Sequence, residues 1–344
     1  MSAEVAQEMI SQLMSSDRPV SFSWQGGEPT LMGLDFFREV IELEKDYGSD
    51  GQRVSNSLQT NGILLDEEWA RFLARYNFLV GLSLDGPRDL HDAHRKYPDG
   101  RGSWNQVLEA GKLLKENGVH FNILSVLSSK TVKQPKRILN FFLEREFRHL
   151  QFIPAIETEA NEGAELARFS PDPLEVGKFY DQIFKEWSKT FPPRFSVRYF
   201  DALIARQVGA PSGFCKIEPQ CGSYLVVEHN GDLYPCDFFV GENLKLGNLR
   251  EDLLQDIENQ EQFGQFAEGK SEIPSICQQC EHLDLCHGGC QYYRGLPEGP
   301  EERTYLCEGY QYFLSRNRDA LETIADKLRK ARSSNTRFGT TSRG

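Results

Sequence analysis

The chain has 344 residues, of which 39% are hydrophobic and 26% are charged; this composition is ordinary for a globular protein of more than one domain and argues against wholesale disorder. The formal net charge of -12 argues against a nucleic-acid partner, because the basic run Lys327–Arg332 is short. The acidic start lacks the basic-then-apolar order of a secretory signal, and no apolar run approaches the roughly 18 residues of a membrane span. We therefore expect a cytoplasmic protein that does not bind membranes.

From Val20 to Ile156 the sequence alternates between strand-like and helix-like patterns. Five apolar runs have strand length: Val20–Trp24, Ser55–Gln59, Phe78–Leu84, Phe121–Leu127 and Leu150–Ile153. Apolar residues at helix spacing lie between these runs. This alternation predicts an α/β fold with parallel strands, either an open sheet or a TIM-like barrel.

Polar, turn-rich loops follow three of the predicted strands. They are Gln25–Pro29, Thr60–Gly62 and Asp85–Pro87. In parallel α/β folds the loops after the carboxyl ends of the strands form the functional site. The sequence therefore predicts the site at this end of the sheet.

After Ile156 the sequence no longer alternates regularly between strand and helix patterns. Glu157–Asp172 is acidic and aperiodic, which predicts a loop or lid, and Leu174–Thr190 has a helical pattern. Asn230-Gly231 between two short apolar runs predicts a β-hairpin. A final helix is expected over Tyr310–Arg332. We expect three regions: 1–209 as a barrel domain, 210–332 as a cysteine-rich domain with the C-terminal helix, and 333–344 as a flexible tail.

All eight cysteines lie between Cys215 and Cys307. Their order is Cys215-x5-Cys221-x14-Cys236, and then Cys277-x2-Cys280-x5-Cys286-x3-Cys290-x16-Cys307. Eight thiolates suffice for two four-ligand sites, and a Cys-x2-Cys turn presents two sulfurs to one site. Two structural zinc sites and two iron-sulfur clusters both fit the spacing, whereas disulfides do not suit the cytoplasm.

Several segments, taken together in order, carry a resemblance. They are Ser23-Trp-Gln-Gly-Gly-Glu-Pro-Thr, Asn56-Ser-Leu-Gln-Thr-Asn-Gly, Val80-Gly-Leu-Ser-Leu-Asp-Gly-Pro, Leu150-Gln-Phe-Ile, Arg198-Tyr-Phe-Asp, Tyr234-Pro-Cys-Asp-Phe and Leu246-Gly-Asn. With the eight cysteines, they resemble the anaerobic sulfatase-maturating enzymes, which are radical S-adenosylmethionine (SAM) proteins with a cysteine-rich SPASM domain. The resemblance favours iron over zinc. It implies a TIM-like (β/α)6 barrel followed by a SPASM domain that holds two auxiliary 4Fe-4S clusters.

The resemblance also implies ligands. Cys215, Cys221, Cys236 and Cys290 would hold the first auxiliary cluster, and Cys277, Cys280, Cys286 and Cys307 the second. Gln25, Gly26, Gly27, Glu28, Ser83, Arg95 and Ile156 would form the SAM pocket. By themselves a Gly-Gly turn and a single arginine are weak signals, since most such residues are ordinary turn or surface residues.

One family motif does not occur in this sequence. Radical SAM enzymes bind their catalytic 4Fe-4S cluster through Cys-x3-Cys-x2-Cys after the first barrel strand, but no cysteine precedes Cys215. The resemblance therefore implies a partial barrel without its first strand. A missing strand would leave an unpaired edge, so we expect a misassigned start or a fragment.

The implied activity is oxidation of a sulfatase cysteine or serine to Cα-formylglycine, with flavodoxin or ferredoxin as the electron donor. In that reaction Asp237, next to Cys236, would be the general base. An isolated aspartate is ordinarily a surface or turn residue. Two alternatives stay open: a SPASM-type maturase of another peptide, and a catalytically inactive metal-binding or peptide-binding protein.

Overall fold

The computed structural model describes residues 1–158, 166–294, 296 and 303–338. Its strands are β1 Val20–Trp24, β2 Val54–Thr60, β3 Leu79–Ser83, β4 His120–Leu127, β5 His149–Pro154, β6 Ser196–Val197, β7 Val226–Val227, β8 Asp232–Tyr234 and β9 Gly247–Asn248. Its helices are α1 Ala3–Met14, α2 Leu34–Tyr47, α3 Glu67–Arg75, α4 Arg88–His91, α5 Trp104–Glu116, α6 Pro135–Glu144, α7 Pro173–Trp187, α8 Arg198–Gln207, α9 Leu254–Glu258, α10 Glu261–Gly269, α11 Ser275–Gln278, α12 Leu283–Cys286 and α13 Cys307–Phe338. None of these helices is long and apolar enough to cross a bilayer.

Strands β1 to β6 form one sheet in chain order, and β7 to β9 form a second, three-stranded sheet. The pairs of the first sheet whose register is known are parallel, for example Val20 with Val54 in β1 and β2. The α/β architecture predicted from strand and helix alternation is thus confirmed. Short strand β6 was not predicted, because a two-residue strand carries no readable pattern.

The chain divides into two compact units. The first comprises residues 1–84, 88–124 and 220–269, and the second comprises residues 85–87, 125–219 and 270–344. Each unit therefore combines segments from both sides of the boundary expected near residue 210, and that boundary stays a prediction.

The core of the first unit is an aromatic cluster behind its strands. Phe37 is fully buried, and its ring centroid lies 5.6 Å from that of Trp24 and 5.3 Å from that of Trp69. A buried polar chain adjoins it: the Trp24 indole donates to Asn56 Oδ1 at 2.8 Å, and Asn56 Nδ2 donates to both carboxylate oxygens of Glu44 at 2.9 and 3.1 Å. Burial raises the pKa of Glu44, and the Asn56 bond partly opposes that rise. These hydrogen bonds link β1, β2 and α2.

The core of the second unit forms where α7 crosses α13. The rings of Phe200 and Phe313 stack with centroids 5.4 Å apart. A Cβ atom on Gly177 would lie 2.4 Å from the Gly309 carbonyl oxygen, and one on Gly309 would lie 2.1 Å from that of Pro173. Only glycine permits this close approach of two helix backbones. The crossing therefore holds the first turn of α13, where Cys307 lies.

The predicted hairpin is confirmed, since β7 and β8 pair antiparallel with Val227 opposite Leu233. Strand β9 then adds to β8 and was not predicted. Helix α13 begins at Cys307 and continues to Phe338, beyond the predicted end at Arg332. Of the expected loop Glu157–Asp172, residues 159–165 lie outside the described part, as do residues 339–344 of the expected tail.

Candidate functional site

The main chain of the loop after β1 is exposed to solvent. Gly26 and Gly27 have φ of +90° and +51°, a region that L side chains rarely adopt. A Cβ atom added to either would meet nothing within 4 Å, and Gln25, Gly26 and Gly27 are exposed. The loop can therefore place backbone donors and acceptors against a ligand.

The Glu28 side chain holds the shape of this loop. Its Oε1 accepts hydrogen bonds from the Thr30 amide and hydroxyl, at 3.1 and 2.6 Å, and from the Thr60 hydroxyl at 2.7 Å. Its Oε2 accepts from the Asn61 amide at 2.8 Å. Both oxygens therefore have protein donors, and the carboxylate ties the loop after β1 to the end of β2. The sequence pattern does not show this supporting role.

The other predicted pocket residues are spread over both units. Ser83 is the last residue of β3 and is 8% exposed, and Arg95 is half-buried in the loop after α4; both belong to the first unit with the β1 loop. Ile156 is buried in the second unit. The pocket as a whole stays a prediction.

Asp237 follows the hairpin of the first unit and is exposed. The Tyr224 hydroxyl donates to Asp237 Oδ1 at 2.6 Å and lies 3.5 Å from Cys236 Sγ, which itself lies 3.5 Å from Asp237 Oδ1. Burial raises the pKa of Tyr224, and the Asp237 bond adds to that rise, so the phenol stays protonated. Asp237 Oδ2 has no hydrogen-bond partner among the described residues. The arrangement can therefore accept a proton on Oδ2 while Tyr224 holds Oδ1.

One cavity of the second unit is lined by Cys277, Cys280, Cys286 and Cys307. Cys277 lies in α11, Cys286 ends α12 and Cys307 begins α13, so three helix ends bring these thiols together. Burial raises the pKa of Cys286 to about 12, so this thiol ionises readily only where metal binding compensates the charge. The four-cysteine set predicted for the second cluster is thus brought to one cavity.

The cavity does not by itself select the metal. One zinc ion needs four sulfurs within about 2.3 Å of the same point, whereas each cysteine of a 4Fe-4S cluster binds a separate iron. That these four cysteines bind an iron-sulfur cluster stays a prediction.

The first predicted cysteine set is divided between the units. Cys221 and Cys236 belong to the first unit, and Cys215 and Cys290 belong to the second. The Cys221 amide donates to the Ala267 carbonyl at 3.2 Å. This set stays a prediction.

Two cations, the buried Lys270 and the half-buried Arg294, support the cysteine loops of the second unit and were not predicted. The fully buried Lys270 ammonium donates to the Cys215 carbonyl. The Arg294 guanidinium donates to the carbonyls of Lys270, His287 and Gly288 at 3.1, 3.1 and 3.2 Å. Neither residue belongs to a spacing motif, so only the tertiary contacts show these roles.

Comparison with known proteins identifies two families in this chain. A model of the radical SAM superfamily matches residues 1–142, and the SPASM model, described as an iron-sulfur cluster-binding domain, matches residues 215–281. The first range contains the loop after β1, and the second contains Asp237.

The similarity to single proteins covers almost the whole chain. The cysteine-type anaerobic sulfatase-maturating enzyme of Clostridium perfringens is 34% identical over 95% of this chain and 89% of its own length. The serine-type enzyme of Bacteroides thetaiotaomicron is 36% identical over 91% of this chain and 80% of its own length. The solved structure described as native anSMEcpe with bound AdoMet and Cp18Cys peptide superposes with a TM-score of 0.89 at 34% identity, covering 95% of this chain and 92% of that one.

Proposed function

This chain belongs to the family of anaerobic sulfatase-maturating enzymes, which are radical SAM oxidoreductases, and we propose that it oxidises an active-site cysteine or serine of a sulfatase to Cα-formylglycine. The observation that carries this proposal is the exposed Asp237 carboxylate, which Tyr224 holds beside Cys236. A carboxylate in that place suits the proton-transfer step of the oxidation.

The chemistry defines what the protein must supply. Converting the CH2–OH of serine to an aldehyde, or the CH2–SH of cysteine to a thioaldehyde, removes two electrons and two protons. The thioaldehyde then exchanges its sulfur for the oxygen of water and releases hydrogen sulfide. When bound, SAM and the clusters supply the chemistry that removes a hydrogen atom and one further electron. The remaining proton needs an acceptor on the protein.

Asp237 is that acceptor in our proposal. Its Oδ1 is held by Tyr224, and its Oδ2 has no partner within the described part of the chain. The bond from Tyr224 restricts rotation of the carboxylate and so keeps Oδ2 turned toward one direction. Tyr224 is therefore a positioning residue, and Asp237 is the catalytic residue.

We assign the methionine end of SAM to the loop after β1. The exposed backbone of Gly26 and Gly27 would hold its amino group, with Gln25 and Ile156 as walls. Ser83 and Arg95 would hold its carboxylate, because a guanidinium binds a planar anion through two hydrogen bonds. Glu28 supports the loop through its bonds to Thr60 and Asn61.

We assign two auxiliary clusters to the eight cysteines of this chain. The cavity of Cys277, Cys280, Cys286 and Cys307 would hold one auxiliary cluster, and Cys215, Cys221, Cys236 and Cys290 would hold the other. Residues 1–214 contain no cysteine, so no thiolate of this sequence is assigned to the catalytic cluster and no step is assigned to it.

The partners follow from the same proposal. The substrate is a sulfatase polypeptide, the electron donor is a flavodoxin or ferredoxin, and the reaction takes place in the cytoplasm. Relatives of both the cysteine type and the serine type match this chain at similar identity, so the proposal covers both targets.

Two measurements test this proposal. The chain, purified and reconstituted without oxygen, is expected to hold about eight iron and eight sulfide per monomer and little zinc, from eight thiolates in two sites. A chain extended upstream by a Cys-x3-Cys-x2-Cys segment is then given SAM, a reductant and sulfatase peptides with cysteine or serine at the target. Mass spectrometry is expected to find formylglycine. Stoichiometric zinc would overturn the cluster assignment, and conversion of unrelated peptides only would favour the alternative of another maturase.

A further inference from the structure

Polar side chains also line the cavity of Cys277, Cys280, Cys286 and Cys307, among them His282 and Thr304. They are 4% and 2% exposed. Arg303, which directly precedes Thr304, is half-buried. All these residues belong to the second unit.

Each of the three side chains has a buried polar atom without a hydrogen-bond partner within the described part of the chain. The atoms are His282 Nδ1, Arg303 Nε and Thr304 Oγ1. A buried polar atom that lacks a partner lowers the stability of the fold, and most such atoms in native proteins are paired. Two of these side chains, His282 and Thr304, line the cavity of the four thiols, and Arg303 directly precedes Thr304. This placement indicates that the missing partners belong to the group that the thiols bind.

The chemistry of these atoms selects the kind of partner. A guanidinium can only donate hydrogen bonds and always carries a positive charge, and a hydroxyl next to a negative atom donates. A histidine nitrogen can donate or accept, depending on its tautomer, so the argument rests on Arg303 and Thr304. The Arg303 Nε–H requires an acceptor, and the Thr304 hydroxyl can donate to the same kind of atom. The sulfur atoms of a thiolate-bound cluster are such acceptors.

The positions of Arg303 and Thr304 are fixed by the backbone around them. Thr304 pairs with Arg294 in a β-bridge, and a Cβ atom on Gly289 would lie 2.8 Å from the Thr304 side chain. The Cys307 amide donates to the Thr304 carbonyl at 2.9 Å. The Arg303 guanidinium donates a side-chain hydrogen bond to Cys307, so Arg303 lies beside a thiol of the set.

We propose that Arg303 and Thr304 donate hydrogen bonds to sulfur atoms of the second auxiliary cluster and thereby raise its reduction potential. This inference rests on the proposed function, since it requires a cluster on Cys277, Cys280, Cys286 and Cys307. One-electron reduction adds negative charge to the cluster, and hydrogen bonds and a nearby cation stabilise the more negative state. The two residues therefore favour this cluster as an electron acceptor.

The test is a redox titration of the reconstituted 344-residue chain, monitored by electron paramagnetic resonance. Arg303→Met removes the charge and the donor, and Thr304→Val removes the hydroxyl at nearly constant shape. Each is expected to lower the midpoint potential of one cluster and leave the other unchanged. For Arg303→Met we expect about a tenfold lower ratio of reduced to oxidised cluster at a fixed ambient potential, equivalent to about 59 mV for one electron. For Thr304→Val we expect a smaller shift of the same sign.

Three variants serve as controls. Thr304→Ser keeps the hydroxyl and should have the wild-type midpoint potential. Arg303→Lys keeps the charge and should lower the midpoint potential by less than Arg303→Met does. Arg316→Met removes the same charge from an exposed position on α13 and should leave both potentials unchanged, because exposed charges are screened. Iron and sulfide are measured on every sample. Arg303→Met and Thr304→Val proteins with full iron and wild-type potentials would overturn this inference alone. A wild-type chain without iron would overturn the cluster assignment and this inference with it.

Discussion

The hydroxyl of Tyr224 donates a 2.6 Å hydrogen bond to Oδ1 of Asp237. Cys236 Sγ lies 3.5 Å from the Tyr224 hydroxyl oxygen and 3.5 Å from Asp237 Oδ1. This contact places a proton acceptor beside a predicted cluster ligand. In the proposed reaction it would also separate two roles, because Asp237 would take the proton and Tyr224 would orient Asp237.

Asp237→Asn tests the acceptor. Asparagine keeps the shape and still accepts a bond from Tyr224 but cannot take up the proton. In a chain extended by the Cys-x3-Cys-x2-Cys segment, we expect formylglycine formation to fall by about a hundredfold to ten-thousandfold, while SAM cleavage continues. The matched control is Asp256→Asn, an exposed aspartate of the same unit. Conversion near the wild-type rate, with full iron content, would show that Asp237 is only structural.

Tyr224→Phe tests the orienting bond. The variant removes one hydrogen bond to a charged group, which typically contributes about 1.5–3 kcal/mol, and we expect conversion to slow by about tenfold. An unchanged rate would mean that Tyr224 does not position Asp237. In a protein that already carries Asp237→Asn, Tyr224→Phe should not change the rate of conversion further.

Glu28→Gln tests the support of the loop after β1. The Glu28 carboxylate accepts from Thr30, Thr60 and Asn61, and an amide nitrogen cannot accept from these donors. We expect a loss of about 1–3 kcal/mol in the free energy of unfolding, measured in urea. Glu39→Gln, at an exposed position of α2, should have little effect. Equal stability of the two variants would contradict the proposed support.

Glu44→Gln tests the buried polar chain through pH. Burial raises the pKa of Glu44 above its ordinary value of 4.5. The pKa of Glu44 is therefore higher in the folded protein than in the unfolded chain. The contribution of Glu44 to the free energy of unfolding is fully present below about pH 4.5 and is lost as pH rises through the pKa of the folded protein. Each unit of pKa elevation corresponds to about 1.4 kcal/mol. Unfolding free energies measured from pH 4 to pH 7 should therefore fall less in the glutamine variant. Parallel curves for both proteins would refute this explanation.

Gly309→Ala tests the crossing of α7 and α13. The added methyl group would lie 2.1 Å from the Pro173 carbonyl oxygen, so the helices must separate, and we expect destabilisation by about 1–3 kcal/mol. Iron content should also fall, because Cys307 starts the same helix. The control is Gly264→Ala in α10, where a Cβ atom meets nothing within 4 Å; it should stabilise by about 0.5–1 kcal/mol. Thermal denaturation and iron analysis measure both effects.

Local signals explain which predictions succeeded. The alternating apolar runs predicted β1 to β5 because side-chain period is a property of neighbouring residues. Asn230-Gly231 predicted the hairpin because its turn needs only a short segment. Strands β6 and β9, with two residues each, were missed because pairing with a neighbour, not local pattern, makes them strands.

The sequence by itself determined the α/β order, the grouping of the cysteines and, through the resemblance of several segments, the family. Tertiary structure decided which side chains meet. Tyr224 reaches Asp237 across a hairpin, Glu28 reaches Thr60 from the neighbouring strand, and Gly309 contacts α7. Such contacts depend on strand register and helix crossing, which are set by the packing of the whole core, so no local pattern of residues encodes them.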